Sequence, residues 1–141
     1  MKLKFEIEKD FVRNTKIFEM WSIARIEIQK KGFHDFQYNE NPPYNSGDAL
    51  VAKTINNKLI GLLTFYENNS ESLWISTSYV LPKYRKLGVY RQMRIQLTEY
   101  AKEKNYKAIF GGVYIKNTDS IKAKLAYGDK VIIQTFKETI R

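Results

Sequence analysis

The chain has no cysteine, which excludes a disulfide framework, a thiol nucleophile and any zinc site built on thiolates. It has one histidine, His34, and no residue spacing that points to metal ligation. It lacks an apolar run long enough for a signal peptide or a membrane span, and its first residues, Met1-Lys2-Leu3-Lys4-Phe5-Glu6, are charged and alternating. Internal repeats, linkers and low-complexity stretches are missing too. These absences lead us to expect a soluble, cytoplasmic protein with no membrane partner. At 141 residues, positions 1–141 make one ordinary domain, able to bury roughly two-thirds of its unfolded surface without disulfides or metal.

Positive charge is in excess. Twenty-four Lys and Arg against fifteen Asp and Glu give a formal net charge of +9, which favours anionic partners and speeds their encounter at low salt. The cations are spread along the chain rather than gathered in one arm. A solubilising surface is therefore the simpler reading, and nucleic-acid binding the alternative.

Lys2 to Glu8 alternates Leu3, Phe5 and Ile7 with charged residues, the pattern of a strand with one buried face. Asn14 or Thr15 caps a helix in which Ile17, Met20, Trp21, Ala24 and Ile28 share a face, and Lys30-Lys31-Gly32 ends it. From Gly32 to Asp48 the chain is irregular and polar-aromatic, a length at which loops tend to be functional, and we expect substrate contacts there. Residues 49–55 and 59–66 flank Asn56-Asn57-Lys58 and read as a hairpin, because asparagine tolerates the positive φ of a tight turn. Glu67 to Glu71 reads as a second turn into a strand from Leu73 to Val80, so three antiparallel strands follow one another. A helix from Val89 to about Lys104 buries Val89, Met93, Leu97, Tyr100 and Ala101. After it, Ala108 to Ile115 is nearly continuous in apolar residues and suggests a strand buried on both faces, parallel to the strand before the helix. Asn117 caps a short helix with Ile121 and Leu125 inward and Gly128 as its stop, and Val131 to Phe136 closes as a last strand. The sum is a mixed α/β sandwich.

Between the third hairpin strand and its helix runs Val80-Leu81-Pro82-Lys83-Tyr84-Arg85-Lys86-Leu87-Gly88-Val89-Tyr90. A glycine-bearing loop feeding a helix leaves unpaired N–H groups and the positive end of the helix dipole in one place, which suits a pyrophosphate. The spacing is neither a Walker A loop nor a three-glycine dinucleotide fingerprint.

Arg85-x-x-Gly88-x-Tyr90, directly after Val80-x-Pro82, resembles the coenzyme A signature of the GNAT acetyltransferase superfamily, R/Q-x-x-G-x-G/A. It departs from that pattern at Tyr90, where the family has a small residue. The order of elements also resembles the GNAT fold: a mixed, mostly antiparallel sheet with a splayed parallel strand pair, flanked by helices. The resemblance implies transfer of an acetyl group from acetyl-CoA to an amine-bearing acceptor by direct attack in a ternary complex. The pantetheine arm would lie along Ser78, Tyr79 and Val80, and the diphosphate would meet Arg85, Lys86, Leu87, Gly88, Val89 and Tyr90. The family's second motif is matched by Asn117 and Gly128, with Ser120 in place of an Ala and Lys124 in place of a Tyr. Lys124 would then neutralise the thiolate or a coenzyme phosphate, or be a solvated lysine. A homodimer through the last strands would suit the family.

The chemistry needs a neutral amine, a donor to the thioester oxygen and an acid for the thiolate. The resemblance gives the donor role to the Val80 backbone N–H. For the acid, Tyr127 and Tyr114 are the nearest phenols, packing being the other reading of each. For the base, Glu71 and Glu67 lie near the start of the splayed strand, surface turn residues being the other reading, and His34 has a suitable pKa range. The competing class is a catalytically decayed module on the same fold that binds nucleic acid or a protein partner.

Overall fold

In the computed structural model, which describes residues 1–31, 47–112 and 117–129, the first alternating segment forms strand β1 (Leu3–Glu8). Helix α1 (Thr15–Lys30) starts where Asn14 Oδ1 accepts the Ile17 N–H at 3.2 Å, satisfying one of the orphan donors of the first turn. Strands β2 (Asp48–Thr54) and β3 (Leu59–Asn69) make the expected hairpin, with Asn57 at φ 69°. Strand β4 (Ser72–Val80), helix α2 (Val89–Glu103), strand β5 (Ala108–Gly111) and helix α3 (Thr118–Tyr127) complete the described elements. The sheet order is β1-β2-β3-β4-β5, antiparallel throughout except for the parallel pair β4 and β5 joined through α2.

Both faces of the central strands are covered. Ala49, Val51, Leu62 and Tyr79 point to α1, where they meet Phe11, Ile17, Met20 and Ala24. Leu50, Leu63, Phe65 and Ile75 point to α2, where they meet Val89, Met93, Leu97 and Ala101. Each fully buried Leu or Met contributes about 1.5–3 kcal/mol. Coverage on both sides explains why β2 and β3 read as unbroken apolar runs although the pairing is antiparallel.

Several expectations are corrected. Glu67 to Asn69 continue β3 instead of turning, because Asn69 Oδ1 accepts both the Glu71 N–H (2.8 Å) and the Ser72 hydroxyl (3.0 Å) and so closes a two-residue reversal at Ser70-Glu71. Strand β5 is not buried on both faces: it is an edge among the described residues, with Phe110 and Gly111 exposed. Leu125 is exposed, since α3 turns Ser120, Ala123, Lys124 and Tyr127, at i, i+3, i+4 and i+7, towards the cleft described below. The proposed last strand (131–136), the segment with His34, and Tyr114 lie outside the described residues.

One irregularity positions everything that follows. Thr64 pairs with Thr77 but Phe65 pairs with Ile75, so Ser76 is an extra residue in β4, fixed by hydrogen bonds to Thr64 Oγ1 (2.8 Å) and the Thr64 carbonyl (3.3 Å). A bulge bends the strand that carries it. The parallel pairing of β4 with β5 ends at the same point, Ile75 opposite Gly111. From Ser76 to Val80, β4 keeps β3 on one side and has no strand on the other among the described residues.

Candidate active site

The open edge of β4 is one wall of a cleft of about 680 Å³. Its other walls are the C-terminal half of α1, the turn 84–91 and the inner face of α3. Seven Lys and Arg side chains line it against two carboxylates, Glu27 and Asp119, a balance that draws a polyanion in.

Which backbone groups face the cleft follows from the ladder. Leu81 N–H donates to the Ile60 carbonyl at 2.9 Å, so the antiparallel alternation gives Leu81 and Tyr79 their bonds to β3 and turns the N–H and C=O groups of Ser78 and Val80 to the open side. Arg85 Nε donates to the Val80 carbonyl at 2.8 Å, which is consistent with that direction. Of the three residues expected to offer their backbone, Tyr79 is therefore excluded by its pairing with Leu62. The Val80 N–H is left as a donor aimed into the opening.

The turn below this edge has the shape expected of an anion cradle. Pro82–Tyr84 form one 3₁₀ turn, Lys86 lies in the left-handed region at φ 63°, and Gly88 follows at φ 83° as the N-cap of α2. Asn14 and Asn117 cap α1 and α3 with their side chains, whereas no side chain caps α2. The first N–H groups of α2 are thus unsatisfied beside the positive end of its dipole. A Cβ built on Gly88 would meet nothing within 4 Å, so the space before the helix is empty. Lys86 and Leu87 are exposed there, and Val89 is buried beneath.

Arg85 is turned differently from the expectation. Besides the Val80 carbonyl it donates from a terminal nitrogen to Glu27 Oε2 at 2.8 Å and lies over the Tyr79 ring at 5.3 Å. It ties α1 to the end of β4 and draws Glu27 into the cleft. Glu27 was missed by sequence reading; its signal is a carboxylate one turn beyond Ala24 on the buried face of α1. Tyr79 hydroxyl approaches Glu27 at 3.5 Å, and burial, with Glu27 next in size, raises its pKa.

On the far wall, Tyr90 turns away from the cradle. Its hydroxyl accepts from Arg94 at 2.9 Å, its ring lies under the Lys124 ammonium at 5.4 Å, and burial raises its pKa. Arg94, which the spacing of Val89, Met93, Leu97 and Ala101 leaves off the apolar face, is only 4 % exposed because Asp129 takes both of its terminal nitrogens, at 2.6 and 2.9 Å. Its cation also sits 4.5 Å from the Tyr127 ring centroid. Tyr127 hydroxyl pairs with Thr98 Oγ1 at 2.9 Å, so this phenol helps fasten α3 to α2. Asn117 Oδ1 accepts the Ser120 N–H at 3.2 Å as a helix cap. Lys124 is half-buried, donates to Ser120 Oγ at 2.9 Å, and has its pKa pushed down to about 8 by burial and by Arg94, with Asp129 opposing.

Glu71 and Glu67 are not brought to the site. Glu71 pairs with Lys107 at 3.1 Å, Glu67 accepts from Tyr106 at 2.6 Å, and neither lines the cleft. Nine steps along the extended strand separate Glu71 from Val80, roughly 30 Å. No group of three or more His, Asp or Glu suited to a metal occurs among the described residues.

Comparison with known proteins agrees with this geometry. Among solved structures the chain is similar to an aminoglycoside acetyltransferase from an uncultured soil metagenomic sample in complex with sisomicin, at 14% identity and TM-score 0.70, covering 99% of this chain and 97% of that one. It is also similar to AAC(6')-Iy in complex with a CoA bisubstrate analogue, at 15% identity and TM-score 0.68, covering 100% and 99%. A third is a GNAT family acetyltransferase from Staphylococcus aureus Mu50, at 16% identity and TM-score 0.65, covering 89% and 84%. Such identities show a shared fold. No curated protein sequence matches the chain. The model of the acetyltransferase (GNAT) family matches residues 14–123, most of the chain and the whole of the cleft's β4 edge and glycine turn, and the chain belongs to that family.

Proposed function

We propose that the chain is one catalytic domain that transfers the acetyl group of acetyl-CoA to an amine by direct attack in a ternary complex. Acetyl-CoA is the cosubstrate of the family, and relatives solved with CoA analogues or aminoglycosides support acyl transfer to an amine. The observation that carries the reading is the coincidence of the open β4 edge, Ser76 to Val80, with the uncapped N-terminus of α2.

In this reading the main-chain N–H groups from Arg85 to Tyr90 hold the diphosphate, with Lys86 supplying charge. Ser78 and Val80 hydrogen-bond the pantetheine arm, Asn117 and Lys124 flank it, and the Val80 N–H holds the thioester oxygen as it gains negative charge. The acceptor enters from the α1 side. Its amine must lose a proton, which at pH 7 costs roughly 4 kcal/mol for a lysine-like group. Glu27, not Glu71, is the carboxylate placed to receive that proton through water. The nitrogen then attacks the acetyl carbon, a C–N bond forms, the C–S bond breaks with its electron pair on sulfur, and the proton shed by the nitrogen converts that thiolate to the free thiol of CoA.

Calorimetry tests the reading directly. Wild type should bind acetyl-CoA with micromolar affinity or better, and Gly88→Glu, which puts a carboxylate into the cradle, should not bind. Thiol release with sisomicin as a first acceptor then tests transfer. A wild-type protein that folds but gives no heat with acetyl-CoA sinks the proposal.

A further inference from the structure

Lys124 presents an amine to the cleft in an environment arranged for its neutral form. Its hydrogen-bond partner is the uncharged Ser120 hydroxyl, and it makes no ion pair among the described residues. From α2 it faces the Tyr90 ring and the Arg94 guanidinium. Asp129, the anion that would favour a charged amine, has both oxygens on Arg94. Burial and the nearby Arg94 cation both favour loss of the proton. With a pKa lowered to about 8, the free amine at pH 7.5 is about two hundredfold more abundant than on an ordinary lysine.

We propose that Lys124 is a self-acetylation site, modified by the acetyl-CoA bound in its own cleft when no acceptor is present. The proposal rests on the acetyl-CoA reading above. The neutral Nζ attacks the acetyl carbonyl carbon, a C–N bond forms and the C–S bond breaks. The electron pair leaves with the CoA sulfur, and the proton shed by the nitrogen converts that thiolate to the free thiol. The product is Nε-acetyl-Lys124 and CoA. Holding amine and thioester in one cleft replaces a bimolecular encounter by a local one, which favours this lysine over those on the surface. The modification removes a positive charge from the wall opposite β4 and adds bulk to the cleft, so acetyl-CoA binds the product less tightly. An acceptor amine competes for the same acetyl group and suppresses it.

The full chain is incubated with acetyl-CoA at pH 7.5 and 8.5 without acceptor, and acetylation of each lysine is followed by peptide mass spectrometry. Lys16, exposed on the first turn of α1 and not part of the cleft lining, is the internal control. Lys124 should be acetylated at least tenfold faster than Lys16, and the Gly88→Glu variant should erase the difference. In Lys124→Arg the fast phase should vanish, with no other lysine taking its place. Equal rates at Lys124 and Lys16 in a protein shown by calorimetry to bind acetyl-CoA overturn the proposal and leave the functional reading standing. Failure to bind acetyl-CoA at all removes both.

Discussion

Replacing Lys124 with methionine should stabilise the folded protein at neutral pH, although a hydrogen bond is lost. Burial and Arg94 lower the folded-state pKa of Lys124 from 10.5 to about 8. At about 1.4 kcal/mol per unit, the ceiling of the effect is about 3.4 kcal/mol. Lys124 is only half-buried, and solvent screening cuts this to about 1–2 kcal/mol. The sign follows from linkage: the folded state disfavours the ammonium, so the penalty is complete below about pH 8 and disappears as pH rises towards 10.5. The wild type should therefore catch up with Lys124→Met across that window. At the upper end the lost bond to Ser120, worth about 1 kcal/mol, leaves the variant no more stable than wild type. Urea denaturation of both proteins at pH 7 and pH 10 reads the difference, and tyrosine titration common to both cancels. With the lost bond subtracted, a thermal scan at pH 7 should show a rise of up to about 4 °C. A variant less stable than wild type at pH 7, or a gap unchanged at pH 10, refutes the reasoning.

Asp129→Ala leaves the Arg94 cation buried and unpaired and should cost about 3–5 kcal/mol, read by urea denaturation; a loss under 1 kcal/mol means that Arg94 finds water or another anion. Gly88→Ala forces a side chain into the left-handed region for about 1–2 kcal/mol of stability, and its methyl should weaken acetyl-CoA binding at least tenfold. Unchanged affinity in calorimetry would place the diphosphate elsewhere. Tyr127→Phe loses only the Thr98 bond, about 1 kcal/mol, and should keep the rate of thiol release within severalfold; a hundredfold drop would make this phenol the acid after all. Glu27→Gln should slow thiol release at least tenfold while acetyl-CoA affinity stays within about threefold, and the opposite pattern would mean that Glu27 serves only to hold Arg85.

The scaffold was legible because it depends on local periodicity. Val89, Met93, Leu97 and Ala101 are buried as their spacing predicts, and the β2–β3 hairpin turns where its asparagines allow it. The glycine turn was legible for a similar reason, since main-chain geometry at Gly88 is what the residue type permits. Side-chain direction was not, because it is decided by partners distant in sequence. Arg85 reads as a phosphate ligand until Glu27, fifty-eight positions away, takes one of its terminal nitrogens. Arg94 reads as a surface cation until Asp129, thirty-five positions on, takes two.

The same distinction bears on how the site works. A cleft lined by cations attracts a polyanion wherever those cations point, so the charge that was readable in composition governs encounter and affinity. In the proposed reading, positioning of the thioester depends instead on two features that no residue type announces, the bulge at Ser76 and the parting of β4 from β5 after Ile75. Losing that bulge would shift the register by one residue and exchange the faces of β4 beyond it. The N–H groups of Ser78 and Val80 would then bond to β3, and the carbonyl acceptor for Arg85 would be lost. Any substitution that straightens β4 at Ser76 should therefore abolish transfer while leaving every charged side chain of the cleft in place.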